Sequence, residues 1–341
     1  MRYLPFFFLL LFSFCKSFEP DHLVVAPSAS IFEYPDPGSA AVAVLQANEG
    51  LLDMGKVSRF ETTLEMDQSQ TTMPWMEMQN QDGKKGWVWM GWIRPFSTDS
   101  MAWIQDKRLM CYLGNDLYRQ TQNLHNLPEQ TPLSEKYSRA INLRDSILYV
   151  LHHRPEDGLA GQPDDWIWLT EAMPGFVFQR IDSGVRPYLF SNYPYWLQRA
   201  FETPEKVDDL FFETMCLVYP TDSIESFFPM WTIQTDENKG CSQLGLGRHD
   251  AMLKRLDEAM VSSPSFEHEL FKVKNLLLED IFGKEACYWQ NEKNILTELN
   301  MILDNQYKCL SSRDVIALKA RKDMFENPAA NGILVDIRAG E

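Results

Sequence analysis

Two hydrophobic periods divide the chain. From His22 to Phe96, apolar residues come in short runs: "HLVVA", "SIFEY", "AVAVLQA", "EGLLDMGKV", "RFETTLEM", "MPWMEMQ" and "GWVWMGWI". Runs of this length, alternating or continuously apolar and with no helical spacing, predict strands. The cluster "PDPGS" and the pair Asp82-Gly83 supply tight turns between them. Five or six short strands in this span predict a small barrel.

Beyond "STDS" (Ser97 to Ser100), which reads as a linker over 97–102, the period lengthens. Phe266, Leu270, Val273, Leu277 and Ile281 recur at three to four residues, as do Met252, Leu253, Leu256, Ala259 and Met260. Ile295, Leu299, Ile302 and Leu303 repeat the pattern, so 103–341 is expected to be a mainly helical domain. Thr131-Pro132, Thr203-Pro204 and Ser263-Pro264 each place proline behind a hydroxyl cap and predict helix starts. Ser311 with Asp314 predicts a capping box. Further helices are expected near 105–124 and 133–153, and 157–200 is mixed. "NGILVDIRAGE" predicts a short terminal strand.

Charge changes the picture first. A formal net charge of −16 repels phosphate backbones and anionic membrane surfaces, which argues against nucleic-acid partners. The opening "MRYLPFFFLLLFSFCKS" has Arg2 before an apolar run, with Cys15 and Ser17 as small residues ahead of a cut. That run is too short to span a bilayer and predicts a signal peptide over 1–17, with no stable transmembrane segment after cleavage. Lipidation of Cys15 is the alternative. The expected location is therefore exported, in the periplasm or associated with the cell envelope. The five remaining cysteines are odd in number, widely spaced and without CxxC, so neither a disulfide framework nor a zinc site is expected. No cofactor or metal is implied.

Four of the ten tryptophans lie between Trp75 and Ile93. In order come Trp75, Met78, Asp82-Gly83, Gly86-Trp87-Val88 and Trp92-Ile93. This arrangement resembles the last strands of an SH3-type barrel, and the exported bacterial SH3-like version is the nearer likeness. "SIFEYPDPGSAAVAVLQANEGLLD" is similar to that domain's strand, Pro/Gly turn and strand. The stretch from Gly50 to Met73 is longer and more polar than the family's. The resemblance covers 22–96. It implies that Val88 and Ile93 pack the core while Trp75, Trp89 and Trp92 line an aromatic groove. Trp87, on the glycine-aromatic-valine strand, is read as packing. Rings of this kind bury much area with few rotors and carry an N–H that orients a ligand. The alternative is that the three rings form an interdomain core.

"NKGCSQLGLGRHDAMLKRL" offers the other candidate chemistry. Cys-Ser-x-Leu locally resembles the nucleophile segment of NlpC-type cell-wall peptidases, which would make Cys241 a nucleophile and His249 or His268 its base. Gly240 stands where that family places Asp, and Gly245 and Gly247 interrupt the helix that should follow. The expected fold is thus α+β and multidomain: a small SH3-like β-barrel followed by a mainly α-helical domain. The expected role is a non-enzymatic binding or scaffolding module of the bacterial cell envelope. Its partner would be a peptide, a cell-wall glycopeptide or a protein. A cysteine peptidase is the alternative.

Overall fold

The computed structural model describes residues 18–66, 69–96, 99–153, 167–181, 186–204, 206–236, 239–283 and 287–337. It is an α+β protein. Its described residues fall into two compact units that meet in sequence at Tyr118 and Arg119. The expected leader over 1–17 lies outside the described residues. Among those described, no helix is long and apolar enough to cross a membrane.

The first unit holds β1 (His22–Val24), β2 (Ser28–Phe32), β3 (Ala41–Gln46), β4 (Gly50–Met66), β5 (Ser69–Gln79), β6 (Lys85–Trp89), β7 (Ile93–Pro95) and the front of α1 (Ser100–His125). The strands form one seven-stranded sheet in the order β3-β2-β6-β5-β4-β1-β7. The expected closed barrel is absent among the described residues: β3 and β7 end the order without pairing each other. Gly83, at φ 77°, supplies the left-handed turn between β5 and β6 that Asp82-Gly83 predicts. The register pairs Met76 with Val88 and Trp75 with Trp89. Because strand side chains alternate, Met76, Met78 and Val88 share one face while Trp75, Trp87 and Trp89 share the other. The methionine face joins Ile31, Leu45, Leu51, Ile93 and Trp103 of α1 in the core.

β4 is the unusual element. Its pairing with β5 slips between Asp53 and Val57 and again between Val57 and Glu61. Such irregularities bend a strand and increase its twist. The front of α1 clamps the bent strand. Lys107 Nζ lies 2.8 Å from Asp53, Arg108 Nε lies 2.9 Å from Glu61, and the Tyr112 hydroxyl donates to Glu61 at 2.5 Å. Gly114 interrupts the helical geometry of α1 at φ 80°. A Cβ there would stand 1.8 Å from the Arg59 guanidinium, so the side chain of β4 occupies the space a larger residue needs.

The second unit continues through α2 (Leu133–His152), α3 (Ile167–Ala172), β8 (Phe176–Ile181), β9 (Arg186–Ser191), α4 (Tyr193–Glu202) and α5 (Val207–Val218). It follows with β10 (Thr232–Asp236), β11 (Lys239–Ser242), α6 (Arg248–Ser262), α7 (Glu267–Phe282), β12 (Cys287–Tyr288), α8 (Glu292–Asn305) and α9 (Ser312–Phe325). β8 and β9 make a hairpin, and β10-β11-β12 a three-stranded sheet. The apolar stripes face inward: Met252, Leu256, Leu270, Leu277, Ile295 and Leu299 are all buried. An aromatic cluster completes the core, with Phe211 stacked on Phe266 at 4.0 Å and Tyr137 edge-on to Trp196 at 5.1 Å.

The capping box of Ser311 and Asp314 opens α9 as expected. Thr203-Pro204 does the reverse of its prediction. Thr203 closes α4, its hydroxyl donating to the Ala200 carbonyl at 2.8 Å. Among the described residues of the tail, an isolated bridge from Leu334 to Cys287 stands where a terminal strand is expected.

Candidate functional site

Trp75 and Trp89 face each other across the β5–β6 ladder, and both are fully buried. The expectation that they form a surface platform is therefore corrected. Their indole N–H groups are spent inside the fold. Trp75 donates to Thr62 Oγ1 at 2.8 Å, and Trp89 donates to the carbonyls of Thr62 at 3.0 Å and Met73 at 3.2 Å. Thr62 and Met73 are themselves partners across the β4–β5 hairpin. The bent hairpin thus roofs the aromatic face and sets Leu64, Met66 and Met73 against the rings. The long stretch from Gly50 to Met73 supplies this roof.

Trp92 keeps part of its surface open. It follows β6 in a 3-10 turn over Met90–Trp92. Its ring meets Trp75 edge-on at 6.2 Å, Trp89 at 5.6 Å and Phe32 at 6.3 Å. Trp87, read from the sequence as packing, is also half-buried, at the margin of the same cluster. Two partly open indoles therefore stand on a rigid base of Phe32, Trp75 and Trp89.

Cys241 is joined to Cys287 in a disulfide. This overturns the nucleophile reading and supplies one bridge, in a chain where no disulfide framework is expected. A sulfur held in a disulfide is no thiolate, and Cys241 is buried besides. The parallel register of β11 and β12 places the two cysteines opposite each other.

Around them lies a polar network that the sequence did not reveal. His249, wholly buried in the first turn of α6, has Nε2 2.8 Å from Asp280 Oδ2. Asp280 also accepts from Thr232 Oγ1 at 3.1 Å and from the Ser242 hydroxyl. The carboxylate sits between hydroxyl and imidazole. Nucleophile activation needs the imidazole in the middle, so these four residues tie β10, β11, α6 and α7 together and leave the serine unactivated. His268, the other candidate base, is exposed on α7.

The remaining polar candidates are also engaged. His152 Nε2 lies 2.8 Å from the Pro187 carbonyl, and His153 Nδ1 lies 2.7 Å from that of Tyr149. Asp208 and Asp209 occupy the first turn of α5, where the helix field favours acids. Glu225 accepts from Arg144 at 2.8 Å and from the amide and hydroxyl of Ser191. Burial, with Glu225 nearby, pushes the Tyr137 and Tyr193 phenols above their usual range, so both remain neutral donors. A cleft of about 400 Å³ in the second unit is lined by His125, Lys136, Tyr195, Trp196, Arg199 and Glu202 among others. Its basic groups are already bonded: His125 to the Ala172 carbonyl, Lys136 to the Glu129 carbonyl and Arg199 to Glu202. Among the described residues, no group of three or more His, Cys, Asp or Glu could hold a metal ion.

No family model, curated protein or solved structure matches the chain.

Proposed function

We propose that this is an exported, non-enzymatic binding or scaffolding protein of the bacterial cell envelope. Its first unit would be an SH3-like module that takes a peptide, a cell-wall glycopeptide or a protein partner at its aromatic face. The observation that carries this reading is the placement of Trp92 and Trp87, partly open on a base of fully buried rings. Aromatic anchors held rigid by packing lose little entropy on binding and are the residue type that dominates interfaces. In this reading Trp75 and Trp89 support the surface and Trp92 makes the contact. The Cys241–Cys287 disulfide favours an oxidising compartment and agrees with the apolar leader. It also weakens the peptidase alternative, which needs Cys241 free.

Retention of the purified full chain on isolated cell-wall sacculi tests the proposal. Trp92→Ala is expected to lower retention about tenfold or more, the effect of losing one interface anchor. Thermal unfolding of the same variant separates lost contact from lost fold. Equal retention of the variant and the parent protein, or no retention of either, would sink the reading.

A further inference from the structure

The cleft of about 400 Å³ in the second unit has a rigid apolar wall and a rim that carries both signs of charge. Leu124 at the end of α1, Leu133 on α2, Pro174 and the Trp196 ring of α4 form the wall. Trp196 is 5% exposed and tightly held. Its Nε1–H donates to the Gly175 carbonyl at 2.9 Å, Tyr137 stands edge-on at 5.1 Å and Phe212 lies parallel at 6.1 Å. A Cβ on Gly175 would stand 2.6 Å from the indole, so the ring packs directly on the backbone there. The rim is Glu129, Lys136, Arg199 and Glu202. Arg199 and Glu202 pair with each other at 3.1 Å on α4. Lys136 and Glu129 differ. Lys136 Nζ donates to the Glu129 main-chain carbonyl at 3.0 Å, which engages one ammonium hydrogen and leaves the charge unanswered. Among the described residues, the Lys136 ammonium has no carboxylate partner and the Glu129 carboxylate has no cationic one. The bond to the Glu129 carbonyl puts these two opposite charges on neighbouring groups.

We infer that this cleft binds a small zwitterion with an apolar side chain, an amino acid or a dipeptide with free termini. Its carboxylate accepts from the Lys136 ammonium and its ammonium donates to the Glu129 carboxylate. Its side chain lies against Trp196, Leu133 and Pro174. A purely anionic ligand would meet the carboxylates of Glu129 and Glu202. A purely cationic one would meet Lys136 and Arg199. A zwitterion answers both signs, and in an amino acid its two charges sit on one carbon, matching the adjacent unpaired charges of the rim. Charge-assisted hydrogen bonds are the strong ones, and small-molecule sites set a few such groups in a mostly apolar lining. The volume lies within the roughly 300–1,000 Å³ of such sites. The packed indole is fixed before a ligand arrives, which lowers the entropy cost of binding. His125 also lines the cleft, but its Nε2 is 2.7 Å from the Ala172 carbonyl and the choice of ligand does not rest on it. Every residue named belongs to the second unit, so the inference stands or falls apart from the aromatic-face reading.

The test is calorimetric titration of the full chain with L-phenylalanine and L-leucyl-L-phenylalanine. Two blocked compounds serve as comparisons: N-acetyl-L-phenylalanine, which lacks the ammonium, and L-phenylalanine amide, which lacks the carboxylate. The expected result is saturable binding of at least one zwitterion, with both blocked compounds about tenfold weaker or more. Lys136→Met and Glu129→Gln are each expected to weaken the zwitterion about tenfold, the order of one charge-assisted hydrogen bond. Glu129 is exposed, so Glu129→Gln carries the test if Lys136→Met does not fold. No binding of either zwitterion overturns the inference. A blocked compound that binds as tightly as the zwitterion, or a folded variant with unchanged affinity, overturns it equally.

Discussion

Glu298→Ala is expected to destabilise the second unit by about 3–5 kcal/mol, the cost of stripping a buried charge from its partners. Glu298 is 2% exposed on α8 and accepts from four backbone amides. Those amides are Gly245 at 2.5 Å, Gly247 at 2.9 Å, His249 at 2.8 Å and Asp250 at 3.1 Å. The first amides of any helix lack internal partners. The N-cap of α6 is Gly247, at φ 76°, which has no side chain with which to cap. A carboxylate from α8 therefore does the work of the missing cap, and the N-terminal field of the helix favours its negative charge. Removing it takes the acceptor from one buried and three partly buried donors at once, a buried one costing about 1–3 kcal/mol and the sum being non-additive. Glu298→Gln keeps one acceptor oxygen but loses the charge and turns an amide N–H₂ toward other donors. An intermediate loss of about 2 kcal/mol is expected. Urea unfolding followed by circular dichroism checks both variants. An alanine variant within about 1 kcal/mol of the parent would contradict the cap, since surface changes seldom exceed about 0.5 kcal/mol.

Reducing the disulfide, or replacing both of its cysteines in a Cys241→Ser, Cys287→Ser double variant, is expected to cost about 4 kcal/mol. The figure follows from the chain entropy released when a loop spanning 46 residues is opened in the unfolded state. The double variant avoids leaving one thiol to mispair. Unfolding midpoints with and without reductant measure the loss, and identical midpoints would mean that the bond is absent in solution. Thiol counting gives an independent check. Cys111, Cys216 and Cys309 are in no disulfide among the described residues, and burial together with Asp257 pushes the Cys309 thiol up to about 12. Burial raises Cys216 as well. These thiols are therefore expected to react slowly with a maleimide in the native protein at neutral pH and readily once it is unfolded.

Much of the secondary structure is legible in the sequence because its causes are local. The hairpin at Asp82-Gly83, the capping box at Ser311 and the helical stripes from Met252 to Leu303 depend on residues a few positions apart. Where a local signal fits two structures, the pattern misleads. Thr203 can cap a start or close an end, and α4 uses it to close. The region 157–200 reads as mixed in sequence, and among its described residues a short helix, two paired strands and another helix follow from Ile167 onward with little room for a period to establish itself.

The candidate sites divide along the same line. The grouping of Trp75, Trp89 and Trp92 is what the SH3-type resemblance implies, whereas strand alternation puts Trp75 and Trp89 on one face with Trp87. Which of them meets solvent was settled by Thr62, 13 residues from Trp75, arriving with the bent β4–β5 hairpin. Cys241 and Cys287 look unrelated at 46 residues apart until parallel pairing aligns them. Glu298 reaches its amides from up to 53 residues away. The sequence by itself determined the change from strands to helices and those elements whose turns, caps and apolar periods act over a few residues. Only the tertiary structure decided which aromatic rings are roofed, which cysteines are joined and which helix start is capped from afar, because burial and pairing depend on residues that strand bends and helix packing bring together.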